Sequence, residues 1–182
     1  MQMYFDFSKD ATRGSIMSQL RAKLDDAAWA TVSIDAMHAG VPKKHHHGIV
    51  EVRETIANLR VTDPVKEDML GVYEILAQAE AQVHECEVDE THFHEVGNGE
   101  AIINTLMICL AFNYLRPESV IASPVQTGSG KIECAHGLMD VPAPATAAIL
   151  ATGIPMQDEK LDGELCTPTS AAIIKHFVTE YK

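Results

Sequence analysis

Residues 101–115, AIINTLMICLAFNYL, are apolar on nearly every side of a helical projection. A helix without a polar face is stable only when other elements cover it all round. The stretch is too short for a bilayer and carries asparagine, so it reads as a buried core helix rather than a span. At 182 residues the chain is long enough to build such a core in one domain. Its 46% hydrophobic and 22% charged residues are ordinary for a globular protein.

Strand and helix signals alternate around that helix. MYFDF (3–7) reads as a short first strand. Residues 11–25 read as a helix, since Ile16, Leu20 and Leu24 recur on one face. WATVSIDAM (29–37) is rich in β-branched and apolar residues and is expected to be a strand. HAGVPKKHHHG, about 38–48, is broken by Gly40, Pro42 and Gly48 and is expected to be a flexible histidine-containing loop. A short helix is expected at about 51–60. A longer one follows, with Asp63 as N-cap, Pro64 in its first turn and a stripe of Met69, Val72, Tyr73, Leu76, Ala79 and Val83. VIASPVQT and KIECAH look like strands on either side of a GSG turn. Pro144 and Gly153 frame one more helix, and Thr167-Pro168 begins another. The expected class is α/β or α+β: a mixed sheet with packed helices in a single compact domain.

The net charge of −12 argues against nucleic acid and anionic membranes as partners and suits a protein that attracts cations. No secretory leader is evident in MQMYFDFSKD, so a cytoplasmic location is expected. The four cysteines are scattered and form no CxxC pair, which reads as free thiols in a reducing compartment.

Nine histidines are the compositional anomaly. In THFHEV (91–96), His92 and His94 are two apart, so an extended backbone would aim both at one ion. Glu95 would then serve as ligand, second acceptor or proton carrier if the chain turns at Gly97. The alternative is a polar loop with its imidazoles bonded to backbone. His45, His46 and His47 either capture a divalent ion or form a solvated loop. Cys134 and His136 offer a thiolate and an imidazole, or else a buried thiol beside a satisfied ring. Gly128, Ser129 and Gly130 in TGSGK could cradle a phosphate or simply turn a hairpin. Thr167 and Thr169 mark a helix start that could receive an anion or merely cap itself.

Three segments together resemble one family. AEAQVHECEVDETHFHEVG (79–97), SPVQTGSGKIECAHGLMDVPAPAT (123–146) and DGELCTPTSAAII (162–174) look like the N-terminal region of LarC-type nickel insertion proteins. KKHHHG falls where that family carries a histidine-rich stretch. The resemblance implies a nickel chelatase of the lyase class, which places Ni²⁺ into a pyridinium mononucleotide bearing two thiocarboxylates. It implies that His92, His94 and Glu95 sit at the working site, with His136, residues 127–131 and the 167–169 helix start facing metal or nucleotide. Zn²⁺ and Co²⁺ accept the same ligands. Glu100 and Asn104 stand where the family tends to carry two aspartates, which leaves Glu100 as the retained acid. Asp140 and Ser170 stand in place of Pro and Gly. The family's CTP-binding C-terminal region has no counterpart before Lys182, so insertion is expected only with a separate C-terminal chain as partner; a homo-oligomer is a further option. Two other readings stay open: a non-catalytic metal-storage or partner-binding paralogue, and a small metal-dependent hydrolase using His92, His94 and Glu95.

Overall fold

The computed structural model describes residues 1–93, 97, 99–134 and 137–182. In chain order the elements are β1 (Gln2–Phe5), α1 (Arg13–Lys23), α2 (Asp26–His38), α3 (Ile49–Asn58) and α4 (Asp63–His84). After a 3₁₀ turn at Val88–Glu90 come α5 (Gly99–Leu115), β2 (Ser119–Ala122), β3 (Gly128–Ser129), β4 (Lys131–Cys134) and β5 (Gly137–Asp140). The last are α6 (Pro144–Leu150), β6 (Gly163–Glu164), α7 (Pro168–Phe177) and β7 (Glu180–Tyr181). This is a mixed α/β fold with a single hydrophobic core.

Two helices organise that core. Helix α5 is the apolar segment of the sequence, and Ile102, Leu106, Ile108, Cys109 and Ala111 are fully buried on it. It is covered by α1, α2 and α4. Helix α4 buries Val65, Met69, Val72, Tyr73 and Leu76, and packs against α3, α5, α6 and α7. Its N-cap is Thr62, one residue before the expected Asp63, with Pro64 in the first turn. It ends because Glu85 turns into the left-handed region at φ 52°, and the N–H groups of Glu85 and Cys86 both donate to the Ala81 carbonyl.

One expected strand is a helix. WATVSIDAM lies within α2, where the Asp25 side chain accepts from the Ala28 N–H. Ala28, Val32 and Ala36 recur every fourth residue on its buried face, against α5. The β-branched residues favour a strand only locally; capping and a small-residue stripe against a buried helix outweigh that preference.

The strands form three small sheets. β1, β2 and β7 pair in parallel, with β2 central and Gln2 to Phe5 in register with Ser119 to Ala122. β4 and β5 pair antiparallel. The GSG segment is not the turn between two partnered strands: Gly128 and Ser129 form β3, antiparallel to β6. Gly128 has φ +80°, and a Cβ there would lie 1.8 Å from the Gly163 carbonyl oxygen. Only glycine permits that approach.

Candidate functional site

The histidine run and the described ends of the THFHEVG stretch are 47 residues apart in sequence, counted from His45 to His92, and adjacent in space. The His46 N–H donates to the Gly97 carbonyl at 2.8 Å, and the Phe93 N–H donates to the His47 carbonyl at 2.7 Å. Glycines allow the contact: a Cβ on Gly97 would sit 2.0 Å from the His46 oxygen, and one on Gly48 2.5 Å from the Thr91 oxygen. Phe93 anchors this strap, the pairing of His46 and His47 with Gly97 and Phe93, and is buried in the core beside Tyr73.

The three imidazoles of the run have different surroundings. His46 is fully buried. Its Nδ1 lies 3.1 Å from the Gly97 carbonyl oxygen and its Nε2 2.8 Å from Thr55 Oγ1. A carbonyl can only accept, so Nδ1 carries the proton, and Nε2 of the neutral ring accepts from the Thr55 hydroxyl. Burial pushes the His46 pKa down, with the Gly97 bond opposing. Metal capture by this ring would require the Nε2 lone pair to give up the Thr55 hydroxyl. His45 donates from Nε2 to the Phe93 carbonyl at 2.8 Å, which leaves the lone pair on Nδ1. A ring held by a backbone carbonyl on one nitrogen is the usual posture of a metal-binding histidine. His47 stands edge-on to it at 5.0 Å between centroids, and its N–H donates to Glu51, holding that carboxyl below its ordinary pKa.

Two open cavities flank the strap. One of about 930 Å³ is lined by His47, Glu51, His84, Cys86, Asp89 and His92, among others. Arg53 reaches Asp89 and Glu74, and so ties the 3₁₀ turn to α3 and α4. The other cavity, about 440 Å³, lies at the start of α5 and is lined by Lys43, Lys44, His45 and Glu100. Thus His47 and His92 share one cavity, while His45 and Glu100 share the other. Among the described residues no three His, Cys, Asp or Glu side chains stand close enough to hold an ion as they are. His94, Glu95 and His136 lie outside the described residues.

The candidate phosphate groups lie elsewhere and are internally bonded. The Gly128 N–H donates to Gln126 Oε1, and Ser129 Oγ donates to the Leu161 carbonyl at 2.8 Å. Gly130 follows with φ +96°. At the start of α7, Thr167 Oγ1 accepts from the Ser170 N–H and the Thr167 N–H donates to Ser170 Oγ, a reciprocal capping box. Thr169 is buried beside it. Neither of the two cavities is lined by these residues.

Two donors on the larger cavity were not singled out by sequence, His84 and Cys86. Their H-x-C spacing repeats in reverse the C-x-H of Cys134 and His136, which was the available signal. The helical stripe of α4 concealed it, because His84 reads as the last residue of a packing element.

Comparison with known proteins bears on what such an arrangement handles. The family model described as "Nickel insertion protein" matches residues 8–182. A pyridinium-3,5-bisthiocarboxylic acid mononucleotide nickel insertion protein of Staphylococcus saprophyticus is 41% identical over 74% of this chain and 34% of its own length. One of the same name from Desulfitobacterium hafniense is 38% identical over 80% of the chain and 36% of its own. Another from Clostridium kluyveri is 40% identical over 72% and 33%. The chain therefore spans about a third of the length of these relatives. No solved structure matches it.

Proposed function

Since the chain belongs to the nickel insertion protein family, we propose that it takes up Ni²⁺ and holds it for transfer to a pyridinium mononucleotide carrying two thiocarboxylate groups. The observation that supports this most is the strap, with His47 and His92 on one cavity beside it. Imidazole suits borderline divalent ions, and the net charge of −12 raises their local concentration. The thiocarboxylate sulfurs are softer donors than imidazole nitrogen. Transfer then needs only ligand exchange, with solvent taking the protons that leave the ligands.

In this reading His45, His47, His92, His94 and His136 supply ligands in turn, and His46 joins only after its Nε2 leaves Thr55. Glu95 and Glu100 accept or return protons. Gly128, Ser129, Gly130, Thr167 and Thr169 face the nucleotide phosphate once their internal bonds rearrange. Zn²⁺ and Co²⁺ would bind the same donors. The CTP step belongs to a C-terminal partner chain, and the setting is cytoplasmic. Among the described residues no helix is long and apolar enough to cross a membrane.

A second reading, metal storage without insertion, is favoured by one observation. Ser170 fills the α7 start with its own hydroxyl, where a substrate phosphate would otherwise be received.

Calorimetric titration with Ni²⁺ separates the outcomes. The His47→Ala/His92→Ala double variant is expected to bind at least about tenfold more weakly than the unaltered chain. Equal affinity would overturn the assignment. Nickel transfer to the bisthiocarboxylate nucleotide, with and without a CTP-binding partner, separates insertion from storage.

A further inference from the structure

Resting on the nickel-uptake reading, we propose that His84 and Cys86 form a soft imidazole–thiolate pair on the larger cavity, taking nickel from His47 and His92 and holding it for the incoming sulfur ligand.

Four observations carry this. Both side chains line the cavity shared by His47 and His92. The backbone that presents Cys86 is fixed, because Glu85 and Cys86 both donate to Ala81 at the left-handed end of α4. That end is the negative pole of a 22-residue helix, where a cation is favoured. Finally, the Glu80 carboxylate lies 3.5 Å from His84 Nε2, and a carboxylate beside an imidazole orients the ring.

Cys86 is also chemically apart from the two other cysteines whose side chains are described. Cys109 and Cys166 are buried free thiols whose ionisation burial opposes, Cys166 being pushed up to about 12. Cys86 is a half-buried free thiol on a cavity wall. Binding replaces nickel-bound water with the Cys86 sulfur and the His84 nitrogen. The thiol proton goes to solvent, and no electron changes hands. The donors are distributed around the wall rather than closed into a cage. An ion held by two of them keeps open positions, which is what a metal awaiting a new ligand needs.

The test uses the full chain, reduced and free of metal, titrated with Ni²⁺ alone. A thiolate-to-nickel charge-transfer band should appear, persist in Cys134→Ser and vanish in Cys86→Ser. Nickel should slow alkylation of Cys86 about tenfold, read by peptide mass spectrometry, and His84→Ala should abolish most of that protection. If nickel binds with neither a Cys86-dependent band nor protection, the pair is not a ligand and the uptake reading stands without it. If no nickel binds at all, both fall.

Discussion

His46 shows how a single ring can serve architecture inside a run that looks like a metal handle. With Thr55 and Gly97 as partners it closes the strap from within. Replacing it by alanine leaves two buried polar groups and a cavity, and should cost about 2–4 kcal/mol in urea unfolding with a chelator present. Its depressed pKa also fixes a pH dependence. Below the ordinary value of 6.5 the unfolded chain binds a proton that the folded ring resists. The stabilisation is therefore complete above 6.5 and is lost as pH falls through the lower folded value, which unfolding at stepped pH would reveal. Gly97→Ala would drive a methyl into the His46 oxygen and should weaken nickel binding without removing a ligand, as calorimetry would register. None of this was legible from HHH, because three identical residues carry no sign of which one is buried. The pairing of the run with Phe93 and Gly97 depends on contacts 46 and 51 residues apart.

At the scale of elements, the helices with strong ends were readable, the four-residue strands β1, β2 and β4 were readable in part, and the two-residue strands were not. Thr167-Pro168 announces α7, and the structure supplies the capping box. Thr167→Ala should destabilise the chain by about 1 kcal/mol, measured by thermal unfolding. Gly71 was invisible to the same reasoning. It lets α7 lie against α4, since a Cβ there would come 2.4 Å from the His176 ring, which is hydrogen-bonded to Asp68 at 2.9 Å. Gly71→Ala should therefore lower the melting temperature although alanine is the better helix former. α2 was misread because its β-branched residues speak only of local preference, while its Ala28, Val32 and Ala36 face speaks of α5. Two-residue strands such as β3 and β6 leave no periodicity to read at all.

For the molecule as a whole, the fully apolar α5 demanded a covering layer, and α1, α2 and α4 provide it. The charge of −12 would make the proposed cation capture a long-range effect. Raising salt from about 0.01 M to about 0.15 M shortens the screening length from roughly 30 to 8 Å, so stopped-flow nickel association should slow several-fold while dissociation changes little. The cavities themselves were beyond sequence, because each is assembled from segments that only the tertiary fold brings together. The strap has a practical corollary at the bench. With its middle imidazole sealed inside and the outer two opening into separate hollows, HHH is a poor purification handle while the chain is folded. On a nickel-chelate resin the native protein should elute at lower imidazole than the same chain in urea, and the gap between the two elution points would gauge how firmly that stretch is sewn into the body.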